Sequence, residues 1–339
     1  MASERSFPLS DHCDGQSFFN PGDSAPTRGL AQVLRWQLRG ERAAWPRKVA
    51  NGVFEPPPSV VTPGTAAITF INHATFLIRL PGAPGAPGAV VLTDPIFSDR
   101  CSPVPWAGPM RARLPGVALA ELPRPDVVLL SHNHYDHMDL PSLRDLQRRH
   151  APRFVTLLGN ARVLAKLGIE ATELDWWQAV AAGPLRITAT PARHFSARTP
   201  LDRNRSLWGG FMIGVDAGQI LFAGDSGAGP HWQAIGVRLG FPDVALLPVG
   251  AYEPGWFMAP VHMNPAEAVQ AHVALGARRS IGMHFGTFQL TDEAIDAPLE
   301  ALQAARLEVG LDAAAFATHD FGETRLYGLG GHARHDPGY

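Results

Sequence analysis

The segment Asp126–Asp139 reads DVVLLSHNHYDHMD. Its four consecutive apolar residues, Val127, Val128, Leu129 and Leu130, predict a strand buried on both faces. The loop that follows places His132, His134, Asp136 and His137 within six positions. In a loop at a strand end, His132 and His134 are two apart and can point the same way. Asp136 and His137 sit just beyond, where the chain turns into a helix, and can serve a second ion beside the first. Imidazole and carboxylate are the usual non-thiolate ligands of Zn²⁺, bound at about 2.0–2.2 Å. A single histidine is more often a solvated or packing residue, but four potential ligands in an HxHxDH run after a buried strand form a metal motif.

Outward from this motif, short runs rich in Ile, Phe, Val and Thr predict strands at Ala67–Asn72, Thr75–Leu80 and Val90–Thr93, with PGAPGAPG (81–88) as a hairpin loop. Further strands are expected at Asp126–Leu130, Phe154–Leu158, Leu185–Thr190, Gly210–Val215, Gln219–Ala223, Val244–Val249 and Ser280–Met283. Helices are expected at Pro141–Arg149, Ala161–Leu167, Pro265–Leu275 and Asp292–Arg306. Hairpins first, then strands alternating with helices, point to an α/β protein of two packed sheets with helices outside. No internal repeat is visible. Residues 51–339 read as one domain and residues 1–50 as an N-terminal extension, of which 1–25 are polar and turn-rich and 26–50 helical.

The metal motif resembles that of the metallo-β-lactamase superfamily. The resemblance implies a four-layer αβ/βα sandwich of two mixed β-sheets with helices on the outer faces, and metals in a cleft at the strand ends. It also implies three later ligands: His194 in PARHFSAR, Asp225 in LFAGDSG and His284 in IGMHFGTF. On that pattern His132, His134 and His194 hold a first zinc, Asp136, His137 and His284 a second, and Asp225 touches both. Two such ions, about 3.5–4 Å apart, activate a hydroxide near neutral pH. No cysteine lies near the motif, which argues against a thiolate site.

Residues 67–325 resemble, more narrowly, N-acylphosphatidylethanolamine-hydrolysing phospholipase D and its bacterial relatives. The stretches that carry this are ITFINHATFLI (68–78), LTDPIFSDRCSP (92–103), SHNHYDHMD (131–139), ARHFSAR (192–198), FAGDSG (222–227), GAYEPGWFM (250–258), VHMNPAEAV (261–269) and HFGTF (284–288). VLRWQL (33–38) also resembles the region before the catalytic domain of that family. The implied reaction is a phosphodiester hydrolysis, by zinc-activated hydroxide, that yields phosphatidic acid and an N-acylethanolamine. The ligand set alone permits this chemistry without selecting it, because the same site hydrolyses lactones, β-lactams, thioesters or RNA in other branches.

Asp136 and His262 are the candidate catalytic residues. His262 either protonates a leaving group, orients substrate or simply packs. His73, in the NHAT turn, is expected to brace the site through a hydrogen bond, and Asp94, in the TDP turn, to partner a ligand histidine. Tyr252, Trp256, Phe257 and Met258 form an aromatic cluster on an expected cleft-side loop, available to an acyl chain or to packing. The remaining histidines (12, 150, 231, 272, 319, 332 and 335) carry no motif.

The formal net charge of −2 gives no basis for a nucleic-acid partner. Cys13 and Cys101 are too few to staple a secreted scaffold and read as free thiols in a reducing compartment. Neither a signal-peptide core nor an apolar run of about 18 residues is evident, so the expected location is cytoplasmic. Arg28, Arg35, Arg39, Arg42, Arg47 and Lys48 against Glu41 give residues 28–48 a charge of +5. That segment either touches an anionic inner membrane face peripherally or packs on the main domain with its charges solvated. Three functions stay in play: a phospholipase of the D type acting on a phospholipid; a soluble zinc hydrolase of small esters, lactones or phosphodiesters; and a non-enzymatic metal-binding regulator. A nuclease is weaker than any of these.

Overall fold

The computed structural model describes residues 6–22, 30–82 and 88–330. Arg28, His332, His335 and most of the PGAPGAPG turn lie outside the described residues. The side chains of Leu30, Leu34 and Arg39 on the basic helix do so as well.

A first sheet contains β1 (Thr65–Asn72), β2 (Thr75–Leu80), β3 (Ala89–Thr93), β4 (Val127–Leu130), β5 (Arg153–Leu157) and β6 (Ala171–Leu174). A second contains β7 (Ala179–Ala182), β8 (Leu185–Thr190), β9 (Gly210–Val215), β10 (Gly218–Phe222), β11 (Val244–Pro248), β12 (Arg279–Met283) and β13 (Phe316–Thr318). The final strand β14 (Thr324–Gly328) returns to the first sheet beside β1. The strand orders are β14-β1-β2-β3-β4-β5-β6 and β13-β12-β11-β10-β9-β8-β7. Helices are α1 (Leu30–Arg39), α2 (Leu140–His150), α3 (Ala161–Ala165), α4 (His231–Leu239), α5 (Gly255–Met258), α6 (Pro265–Leu275) and α7 (Ala297–Glu308).

The layers follow from a period of two within the strands. In β4, Val127 and Leu129 join the core between the sheets, while Val128 and Leu130 join the cluster under α2 and α3. In β2, Phe76 and Ile78 face the first of these and Leu77 the second. Successive side chains point to opposite faces of a sheet, so strands apolar on both faces must be covered on both. Each fully buried side chain of this kind contributes about 1.5–3 kcal/mol. The result is the expected sandwich of two mixed sheets with outer helices.

Both sheets share one plan. In the first, β14 to β3 are antiparallel and β3 to β6 parallel; in the second, β7 to β10 are antiparallel and β10 to β13 parallel. This repeat of topology has no visible counterpart in the sequence. It makes the turn after β3, which carries Asp94, equivalent to the turn after β10, which carries Asp225.

Several expectations need correcting. The helix read over 26–50 is, among the described residues, only Leu30–Arg39. It ends where Gly40 passes so close to Asp292 that a Cβ would lie 2.7 Å from its carboxylate. The helix read from Asp292 begins instead at Ala297. Asp292 accepts from the Trp36 indole (2.8 Å) and Glu293 from the amides of Ala251 (2.6 Å) and Glu253 (3.2 Å), so these residues stay in a loop. The short strands β6, β7, β13 and β14 and the helices α4 and α5 were not foreseen. Residues 6–22, within the turn-rich stretch, fold back in bridges 10/13 and 13/18, with Phe18 only 1% exposed. Cys13 and Cys101 are buried and unpaired. No helix among the described residues is long and apolar enough to cross a membrane.

Candidate metal centre

The candidate ligands converge at the strand ends. The loop after β4 supplies His132, His134, Asp136 and His137; the turns after β8, β10 and β12 supply His194, Asp225 and His284. Four of the non-glycine residues with positive φ lie at this edge: His73 (49°), Asp94 (30°), Ala251 (61°) and His284 (65°). Strained backbone of this kind clusters at functional sites. Gly224, just before Asp225, has φ 63°, and a Cβ there would lie 2.7 Å from the Gly209 carbonyl oxygen and 2.8 Å from Ser131 Cβ.

Two groups of donor atoms form. In the first, His132 Nε2 and His194 Nε2 lie 2.9 and 3.2 Å from His134 Nδ1. Tetrahedral zinc with bonds of about 2.0–2.1 Å spaces its ligands by about 3.3 Å, close to these separations. In the second, Asp136 Oδ2 lies 3.4 Å from both His137 Nε2 and His284 Nε2. Between the groups, Asp225 Oδ2 lies 3.2 Å from His137 Nε2, 3.1 Å from His284 Nε2 and 3.8 Å from His194 Nε2. His137 Nε2 and His284 Nε2 are buried and face these carboxylates without hydrogen-bond alignment. Lone pairs and carboxylate oxygens gathered in this way fit divalent cations.

The electrostatics agree. Burial pushes the carboxyls of Asp136 and Asp225 up, but the neighbouring imidazoles, His137 first and then His284, together outweigh it, and both are held well below the usual carboxylate range. Burial lowers His132, His194 and His134, the last to about 4, so their nitrogens stay unprotonated at neutral pH. Burial also lowers His137 and His284, but there the carboxylates win: Asp225 and Asp136 raise His137 well above its ordinary value and His284 to about 9. The second group thus favours positive charge, on its imidazoles or on a cation.

One buried carboxylate orients both halves of the motif. His137 Nδ1–H donates to Asp94 Oδ2 (2.7 Å), and Ser131 donates to Asp94 through its amide (2.8 Å) and hydroxyl (2.5 Å). Ser131 Oγ in turn accepts from His132 Nδ1–H (2.9 Å). His194 Nδ1–H donates to the Val261 carbonyl (2.9 Å). Each contact leaves Nε2 with its lone pair toward the centre. Arg198 donates to the carbonyls of Asn133 (2.8 Å) and Met138 (2.9 Å), clamping the loop from outside.

His73 Nε2 lies 2.9 Å from Asp136 Oδ2, at hydrogen-bond distance. His262 is half-buried, with Nδ1 4.0 Å from Asp225 Oδ2 and its ring against those of His194 and His284. Tyr252 is half-buried beside Glu293 and Glu253, and burial followed by those carboxylates raises its phenol to about 12; no contact to the cluster places it at the centre. Phe257 stacks on Trp36, Met258 is buried and Trp256 is exposed. Ser131 and Arg198 were not singled out in the sequence. A serine directly before the first histidine is the only local hint, because Asp94 lies 37 positions away from it.

A model of the β-lactamase superfamily domain matches residues 90–285. An uncharacterized protein of Mycobacterium tuberculosis is 38% identical over 245 residues, covering 70% of this chain and 63% of that protein. This chain therefore spans less than two thirds of that relative. The N-acyl-phosphatidylethanolamine-hydrolyzing phospholipase D 1 of Caenorhabditis elegans is 36% identical over 271 residues, covering 75% of this chain and 74% of that protein. Among solved structures, a metallo hydrolase from the hyperthermophilic archaeon Ignicoccus hospitalis shares the fold, with a TM-score of 0.58 at 22% identity over 78% of this chain and all of that one.

Proposed function

From its membership of the β-lactamase superfamily, we propose that this chain is a dinuclear zinc phosphodiesterase of the phospholipase D type. Its substrate would be an N-acylphosphatidylethanolamine, and its products phosphatidic acid and an N-acylethanolamine. The observation that carries the proposal is Asp225 Oδ2, which lies within 4 Å of ring nitrogens from both donor groups and so can join two ions. His132, His134 and His194 would hold one ion, Asp136, His137 and His284 the other, and Asp225 both. Bound there, two divalent ions supply an activated water and neutralise charge as the ester is attacked.

The chain's own groups account for the rest. Two carboxylates offset only half the charge of two divalent ions, so the cleft favours an anionic ester over a neutral one. The imidazole of His73, its Nε2 2.9 Å from Asp136 Oδ2, would hold that carboxylate in place, and Asp136 would take a proton from the attacking water. Burial lowers His262 to about 4, so it is neutral at pH 7 and acts by hydrogen-bonding the substrate rather than as a standing cation. The likeness to the nematode phospholipase supports the lipid substrate. The exposed Trp256 and Leu38, on segments that meet where Phe257 stacks on Trp36, support a peripheral contact with anionic lipid through residues 28–48.

The test is release of N-acylethanolamine and phosphatidic acid from N-acylphosphatidylethanolamine by protein of measured metal content, beside His134→Ala and Asp225→Asn. Turnover in the wild type and its loss in both variants is the expected result. A two-metal protein that leaves the lipid intact would overturn the substrate and redirect the assay to soluble phosphodiesters and lactones.

A further inference from the structure

The side-chain amide of Asn20 pairs with both backbone groups of His194. Nδ2–H donates to the His194 carbonyl (3.0 Å), and the His194 amide donates to Oδ1 (3.2 Å). The same Oδ1 accepts from the Trp208 indole (3.2 Å). The side-chain amide of asparagine presents a donor and an acceptor side by side in one plane, so Asn20 serves as a one-residue strand partner for His194. With Nδ1–H on the Val261 carbonyl, His194 is held at three points from two elements distant in sequence.

Asn20 is itself anchored. Phe18 is buried against Phe7, with ring centroids 4.8 Å apart, and its amide donates to the Asn204 carbonyl (2.9 Å). His12 stacks on Trp176 (4.2 Å) and its Nε2 lies 2.8 Å from Asp175 Oδ1. Arg205 donates to the Gln16 carbonyl (3.2 Å). The segment 6–22 is therefore a strap pinned along its length, and its last fixed side chain reaches a donor of the first group only.

We propose that Asn20 is a positioning residue for the first metal: by fixing the backbone of His194 it sets the geometry of the His132, His134 and His194 group and leaves the second group untouched. The inference rests on the two-ion reading above. It makes the N-terminal strap part of the metal centre rather than an appendage to it.

The test is a chelator competition on zinc-loaded full-length protein, with Asn20→Ala, wild type and His12→Gln compared. His12→Gln loosens the strap without touching His194. The optical spectrum of the cobalt-substituted proteins is the second readout. Expected is selective weakening of one of the two ions in Asn20→Ala, by about 10–100-fold as for other orienting contacts of a ligand, with the cobalt bands of one site altered. His12→Gln, which loosens the strap but keeps the Asn20 side chain, should weaken that same ion by less. Equal affinity for both ions in Asn20→Ala and wild type would overturn the role of Asn20 alone. Equal weakening of both ions, matched by His12→Gln, would reduce it to general stability and overturn it too. A wild type that binds no second ion would instead bring down the two-ion reading, and this inference with it.

Discussion

His137 Nδ1 lies 2.7 Å from Asp94 Oδ2, and both side chains are wholly buried. A carboxylate on one ring nitrogen fixes the tautomer and directs the other nitrogen at the metal. Asp94→Asn keeps the size and weakens that orientation for His137 and, through Ser131, for His132. Metal affinity should fall by about 10–100-fold, read by chelator competition, with both ions affected. Unchanged affinity would remove Asp94 from the metal centre.

Gly224 carries Asp225 on a left-handed turn against Gly209 and Ser131. A methyl group there meets both the backbone penalty, about 1–2 kcal/mol, and overpacking of about 1–3 kcal/mol. Gly224→Ala should therefore lose about 2–5 kcal/mol in urea unfolding. A loss below 1 kcal/mol would mean that the turn relaxes at little cost.

The strap should be sensitive to pH through His12. Burial lowers its affinity for a proton, but Asp175 and Asp11 outweigh this and raise its pKa above the ordinary 6.5. A raised folded value contributes stability that is fully present below about pH 6.5 and fades as pH rises through the folded pKa. The stability gap between wild type and His12→Gln should be widest near pH 5.5 and should shrink above neutrality, by thermal unfolding. A gap that widened with pH would invert the assignment.

His272 should show the opposite sign. Burial on the inner face of α6 lowers its pKa, and its ring lies 2.8 Å from the Ser280 hydroxyl. Its contribution is present above about pH 6.5 and is lost on acidification. His272→Gln should flatten the acid limb of the stability profile. An unchanged acid limb would show that His272 does not titrate on unfolding.

Leu38 projects from α1 with 83% exposure, while Trp36 on the same helix turns inward to Asp292 and Phe257. If residues 28–48 touch anionic lipid, Leu38→Asp should weaken binding to phosphatidylserine vesicles several-fold and spare turnover of a soluble phosphodiester. Equal vesicle binding would end the membrane role of that helix. Deleting residues 1–48 is a poorer test, because it also removes Asn20 and its hold on His194.

What the sequence determined by itself was local. The apolar quartet Val127–Leu130 dictates a strand covered on both faces, and HxHxDH immediately after it concentrates imidazole and carboxylate donors at one strand end. Those properties depend on neighbours within a few residues, so they survive in the linear text. The sequence offered Asp94 and His73 as orienting groups, but tertiary structure alone decided which donor each one meets, and it alone brought in Asn20. Asp94 meets His137 across 43 positions, His73 meets Asp136 across 63, and Asn20 meets His194 across 174. It also decided that β13 and β14 close the two sheets, since three to five residues of mixed polarity acquire strand character only when an exposed edge supplies their partners. Such pairings are set by how two sheets of the same plan stack, and no local pattern of side chains encodes them.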